Sequence, residues 1–280
     1  MASIQRLVMG CAGADVARRV GYGLRSLEMF MQHVCRVFRY PRTSLVVAAM
    51  AFAAVPAVSQ AADDINSLQL LNQSEFRLLS EDLGSALSFK SMIPSEPLGI
   101  TGFDVGVTIT GSKLQHRALL ERATSGTDVP SVLPIPTVRI HKGLPYGIDI
   151  GASYGAVPGS NIGVIGGELR WAFIRGGVAI PAVAVRGTAT KLLGVDQLSL
   201  ETTSLDLSIS KGILNVTPYG GIGKVWTTST PDGVPGLRKE SFSQNKLFAG
   251  VNIFLGFNLA FEVDRTGEVT SYGVKGGFRF

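Results

Sequence analysis

Residues 271–280 read SYGVKGGFRF and decide the fold. Tyr272, Val274, Gly276, Phe278 and Phe280 occupy every second position, with Ser271, Gly273, Lys275, Gly277 and Arg279 between them. A period of two is a β-strand period, in which neighbouring side chains leave opposite faces. One face here is apolar and aromatic and the other carries charge, so the two faces meet different solvents.

The same alternation recurs upstream. Phe103, Val105, Val107 and Ile109 alternate with Asp104, Gly106, Thr108 and Thr110, and a shorter run sets Val138 and Ile140 against Thr137, Arg139 and His141. Tyr146, Ile148, Ile150, Ala152 and Tyr154 oppose Asp149 and Ser153, while Ile165, Leu169, Trp171 and Phe173 oppose Glu168 and Arg170. Val183, Val185 and Ala189 face away from Arg186, Thr188 and Thr190. Leu205, Leu207 and Ile209 face away from Ser204, Asp206, Ser208 and Ser210. Phe257, Leu259, Phe261 and Val263 oppose Asn258, Glu262 and Asp264. Two stretches, about 215–228 and 244–254, are untidy because Gly220, Gly221 and Gly223 blur the phase. The pattern predicts about ten strands over residues 100–280. One phase irregularity stands out: Leu198 and Leu200 are even where Leu205 onward are odd, which predicts either a bulge near Thr202–Thr203 or a strand end above a membrane.

The connections are asymmetric. After even strands they are short, as in GLP at 143–145 and KGILN at 211–215. After odd strands two are long, about 112–135 and 229–243. Short turns at one rim and long loops at the other belong to a transmembrane β-barrel. Such a sheet gives every backbone N–H and C=O an internal partner and has no free edge, which lipid demands. A soluble two-layer sandwich also alternates. The aromatic residues Tyr146, Tyr154, Trp171, Phe173 and Phe280 near strand ends weigh against it, because they suit an interfacial girdle.

The net charge of +5 is localised. Residues 1–61 carry seven Arg against Asp15 and Glu28, and the remainder is balanced, which removes the case for a nucleic-acid partner. Arg36, Arg39 and Arg42 precede the apolar run Leu45–Val58, then Ser59, Gln60 and Ala61, the layout of a secretory signal cleaved after Ala61. Met29 and Met31 are alternative starts. Both cysteines, Cys11 and Cys35, lie in this leader. Residues 62–99 form the next segment, in which Phe76, Leu79, Leu83, Ala86 and Leu87 share a helical stripe. Asn72 or Ser74 is a candidate cap, and Pro94 and Pro97 close the segment. It is expected to be periplasmic and to plug or cover the short-turn mouth of the barrel.

With its leader, its alternating final strand VTSYGVKGGFRF and its terminal Phe280, the chain resembles Gram-negative outer-membrane β-barrel proteins. The resemblance covers about residues 100–280 and names no subfamily. It implies residence in outer-membrane lipid, and reading of the last strand, ending in Phe280, by the barrel-assembly machinery. It does not choose among pores, transporters, adhesins and enzymes.

The inward positions are the candidate lumen-lining and binding residues: Asp104, Arg139, His141, Asp149, Glu168, Arg170, Arg186, Asp206, Asn258, Glu262, Lys275 and Arg279. Two readings stay open. The lumen is a narrow polar pore or a binding site for small, even hydrophobic, molecules, or its opposed charges close on one another and leave a structural or surface-interaction barrel. In the long first connection, LQHRALLERA is expected to form a short helix presenting Leu119 and Leu120 over the upper mouth. Catalysis is not expected, since beyond the leader only His116 and His141 are present and neither G-x-S-x-G nor H-E-x-x-H occurs there. No cofactor and no metal are expected.

Overall fold

The computed structural model describes residues 64–125 and 129–280. The leader, its cleavage point and the alternative starts lie outside the described residues. A helix, α1 (Gln73–Leu87), precedes the strands β1 (Phe103–Lys113), β2 (Val132–Gly143), β3 (Ile148–Ala156), β4 (Gly163–Arg175), β5 (Ala182–Leu193), β6 (Leu198–Ser210), β7 (Val216–Pro231), β8 (Glu240–Phe254), β9 (Asn258–Thr266) and β10 (Val269–Arg279). A short helix, α2 (Arg117–Ala123), sits in the β1–β2 connection. Each strand pairs antiparallel with its neighbours in sequence, and β1 pairs with β10, so the sheet closes into a ten-strand barrel.

The seam is fastened at the chain's last residue. Phe103 N–H donates to the Phe280 carbonyl at 2.6 Å, and Phe280 N–H donates back to Phe103 at 3.0 Å. The strands are strongly staggered. One row of cross-strand partners runs Phe103, Lys142, Ile150, Leu169, Gly187, Leu205, Lys224, Asn245 and ends at Gly267, whose N–H donates to Asn245. It climbs from the short-turn rim to the opposite rim, as it must in a closed sheet whose strands tilt by about 35–45°.

The outward residues of the short-turn half are apolar and exposed. They include Val105, Ile109, Val138, Ile140, Ile150, Leu169, Leu205, Leu207, Ile209, Ile222, Phe261 and Val274. A continuous apolar band around a closed sheet, flanked by Tyr154, Trp171, Phe173, Trp226 and Tyr272, is the surface that a bilayer solvates. Among the described residues no helix is long and apolar enough to cross a membrane; the strands are the crossing elements. Tyr146 departs from the expectation. It lies in a 3-10 turn (Pro145–Gly147) at φ +65° instead of on β3.

The irregularity in β6 is resolved without a bulge at Thr202–Thr203, where pairing to β5 and β7 is continuous. Inward and outward positions keep their parity along the whole strand, and polarity changes instead. At the long-connection end Leu198 and Leu200 point inward and are buried, while Ser199, Glu201 and Thr203 point outward. The same exchange appears in β2, where Leu133 and Ile135 are buried inside and Val138 and Ile140 are exposed outside. A register shift does occur in β4, between Trp171 and Ile174.

Candidate functional site in the barrel lumen

The lumen is occupied by the chain's own N-terminal segment. Asn72 caps α1 by accepting from Glu75 N–H, and the Glu75 carboxylate accepts from Asn72 N–H, a reciprocal capping box. From this cap the helix descends inside the wall. Ser80 Oγ reaches Ser229 of β7 at 2.8 Å, and Ser85 Oγ reaches Gln244 of β8 at 3.0 Å. The expectation that the helix sits at the short-turn mouth is corrected: it lies within the barrel, in the long-connection half. The reason is chemical. The stripe Phe76, Leu79, Leu83, Ala86 and Leu87 needs an apolar partner, and that half of the wall offers Leu133, Ile135, Leu192, Leu198 and Leu200. Gly84 lets the helix pass close to β7, because a Cβ there would sit 2.7 Å from the Thr227 side chain.

The upper opening is covered from several sides. Asn66 and Ser67 N–H groups donate to the Ala123 carbonyl of α2. Arg122 bonds Glu75 at 2.6 Å and also the Leu70 carbonyl, and this contact holds the Glu75 carboxyl below the usual carboxylate range. Gln73 bonds Glu240 and the Arg238 backbone, and Arg77 bonds Glu240 at 3.1 Å. Leu120 does not present itself to solvent as expected. It is 1 % exposed and packs in the same cluster as α1, with Leu119 partly buried against it.

Below α1 the segment continues as irregular chain through the short-turn half, with bends at Ser88, Ile93, Ser95 and Glu96, where the wall is charged. Arg170 binds Asp149 at 2.7 Å and donates to the plug's Pro94 carbonyl at 2.6 Å. Lys246 donates to the Phe89 carbonyl at 2.9 Å and pairs with Asp206 at 3.2 Å, which Arg186 also reaches at 3.2 Å. Glu168 accepts from Ser91 Oγ, and Glu262 accepts from Met92 N–H at 3.2 Å. Lys90 of the plug is held by Asp264 at 3.5 Å. Ser95 bonds Ser208 and Ser210, Leu98 N–H donates to Asp149, and Arg139 lies 5.0 Å over the Phe89 ring. The segment leaves at the short-turn rim, where Glu96 accepts from Gly212 N–H in the β6–β7 turn.

Asp104, Arg139, His141, Asp149, Glu168, Arg170, Arg186, Asp206, Asn258, Glu262 and Lys275 all point inward and are buried. Arg279 also points inward but is only partly covered. Asp104 binds Lys275 and Arg279. Asn258 accepts from Asn252 at 2.9 Å. His141 is sealed between Asp104 and Glu168, each 3.8 Å away, and neither ring nitrogen has a hydrogen-bond partner. Gly151 provides the space for its ring, since a Cβ there would collide with it. His116 stays apart, in the β1–β2 connection, with Nδ1 3.4 Å from Asp82 of α1.

Sequence reasoning missed Lys246 and the plug's Lys90 and Ser91, and it placed Asp264 on the inner face of its strand without counting it among the lumen candidates. Lys246 was hidden in the untidy eighth strand. The outward series Leu247, Ala249, Val251 and Ile253 carries the phase that would have found it. At the junction of the two lumen halves, a void of about 20 Å³ lies beside Phe89, Arg139 and Thr190, enough for about one water molecule.

No family model and no curated protein matches the sequence. Solved structures do. The chain is similar to the KdgM porin at 8 % identity, with 63 % of this chain and 99 % of that one covered and a TM-score of 0.33. It is similar to the N-terminal β-barrel domain of Pseudomonas aeruginosa OprF at 13 % identity (65 % and 99 % covered, TM-score 0.31). It is also similar to Neisserial surface protein A at 11 % identity (64 % and 94 % covered, TM-score 0.30). At these identities and scores nothing about activity passes to this chain.

Proposed function

We propose that this protein is an outer-membrane barrel closed at rest by its own N-terminal segment, whose covered long-connection face is its working surface. One observation carries the reading: residues 73–98 fill the lumen from rim to rim and bond to the wall's buried charges. In the wall Arg139, Arg170, Arg186, Lys246, Lys275 and Arg279 are matched in number by Asp104, Asp149, Asp206, Glu168, Glu262 and Asp264. A matched set closes on itself and on the plug, and exerts no strong pull on ions of either sign. At the long-connection rim, residues 64–72, α2 and the β7–β8 connection make a folded platform suited to contact with a partner. In this reading export uses the leader, and the assembly machinery engages the last strand and Phe280.

The rival reading is a gated pore for small molecules. It draws on the short-turn half, where hydrogen bonds and ion pairs that water could replace hold the plug. Planar-bilayer recording separates the two. The full chain is expected to carry no steady current, and a chain lacking residues 64–98 is expected to conduct. The chain beyond the leader has no cysteine, so a Ser80→Cys/Ser229→Cys pair pins α1 to β7 cleanly. Current in the unpinned protein that oxidation abolishes would overturn the closed reading in favour of the gate.

A further inference from the structure

A groove of about 770 Å³ runs along the outer wall over β6–β9. Leu205, Leu207, Ile222 and Leu247 line it, with Trp226, Asn245, Lys224 and Arg265 at its upper part. Two of these residues do not fit a lipid-facing wall. Lys224 and Arg265 point outward and are exposed. Among the described residues neither has a carboxylate within ion-pair distance. Arg265 makes a single weak bond to the Gly267 carbonyl at 3.4 Å, whereas the nearby outward pair Lys191–Glu201 neutralises itself at 2.9 Å. An unpaired cation on the lipid face is costly near the bilayer midplane and nearly free at the headgroup level. The level here is that of the headgroups: Trp226 stands opposite Thr203 and Ser243, just above Lys224.

Register brings the two cations together. Lys224 is directly opposite Asn245, and Arg265 is directly opposite Leu247, two residues further along β8. Sheet spacing puts their Cα atoms about 12 Å apart, a span that two long side chains bridge when both reach toward one anion over Asn245. Of the acids on β6 and β9, Asp206, Glu262 and Asp264 point inward, and the outward Glu201 is already paired with Lys191.

We propose that this groove seats one phosphate-bearing membrane lipid, its phosphate held between Lys224 and Arg265 over Asn245 and its acyl chains lying along Leu205, Leu207, Ile222 and Leu247. The site lies outside the lumen and is independent of what the plug does. Charge complementarity chooses the occupant: two cations at headgroup height above an apolar trough match an anion attached to hydrocarbon.

The two tryptophans of the chain make the test direct, because Trp226 lies in the groove and Trp171 on β4 does not. A Trp171→Phe variant in phosphatidylcholine vesicles leaves Trp226 as reporter. Brominated phosphatidic acid should quench it with an association constant about tenfold above that of brominated phosphatidylcholine. Lys224→Gln/Arg265→Gln should abolish the preference, and Trp226→Phe, reporting from Trp171, should show none. Millimolar inorganic phosphate should leave the preference intact. Equal quenching by the two lipids, a preference that survives the double substitution, the same preference at Trp171, or loss to free phosphate would each overturn the proposal.

Discussion

On β6, Leu198 and Leu200 point inward at the long-connection end, whereas Leu205, Leu207 and Ile209 point outward at the other. The two halves of the barrel are inverted copies in polarity. In the short-turn half the greasy face looks out to lipid and the lumen is charged. In the long-connection half the outer face is wet, and the lumen is an apolar core assembled around α1. On β6 the pairing and the pleat run unbroken from one half to the other; the surroundings change. The plug follows the same division, as an amphipathic helix where the wall is apolar and as irregular chain with carbonyls and N–H groups bonded to side chains where the wall is charged. A membrane barrel and a soluble-type core are thus built end to end from one sheet.

The contrast can be broken at chosen residues. Phe76→Ala, in the apolar half, should cost about 3–5 kcal/mol, read as a lower denaturant midpoint of the refolded protein. In the charged half Arg170→Ala should cost a similar amount, about 3–5 kcal/mol, because it strands a fully buried Asp149. Replacing both partners with apolar residues should recover most of that loss in the same titration. On the outer surface, Leu207→Arg should cost about 2–4 kcal/mol by facing lipid. Glu201→Leu, outward on the same strand beyond the polarity change, should stay within about 1 kcal/mol, the worth of an exposed ion pair. A clear gain in stability from Glu201→Leu, in place of near neutrality, would mean that lipid reaches both halves.

The smallest effect is a slope with pH. Burial raises the Asp82 carboxyl above its usual range, against the His116 N–H and imidazole that draw it down. A carboxyl raised in the folded state contributes fully below its unfolded value, and that contribution falls as pH rises through the raised one. The hold of α1 should therefore weaken slightly from acid toward neutral pH. Asp82→Asn should flatten that slope in denaturant midpoints taken across the range, while leaving the amide oxygen to accept from His116 N–H.

The outer wall of the short-turn half was legible in the sequence because lipid enforces a strict period of two. The inward parity of Asp104, Glu168, Arg170 or Lys275 followed from it. β7 and β8 were harder, since Gly220, Gly221 and Gly223 have no side chains to mark a phase. Leu198 and Leu200 were visible as an irregularity, but periodicity reports which residues share a face, not which solvent lies beyond it. The helix α1 was legible from its stripe and cap. Its seat was not, because an apolar stripe requires a partner without specifying one, and the partner is split among β2, β5 and β6. The lumen charges were legible one by one, and their matching to the carbonyls of Phe89 and Pro94 was invisible until the segment was placed.

The seam between β1 and β10 gains meaning from what it encloses. The plug joins β1 at the short-turn rim, yet its cap lies at the far rim, and α1 is a rod about 10–12 Å wide. Such a rod does not slide through a passage crowded with ion pairs. Closing the wall around a helix already in place avoids that passage, and in such an order the Phe103–Phe280 clasp is the last pairing to form.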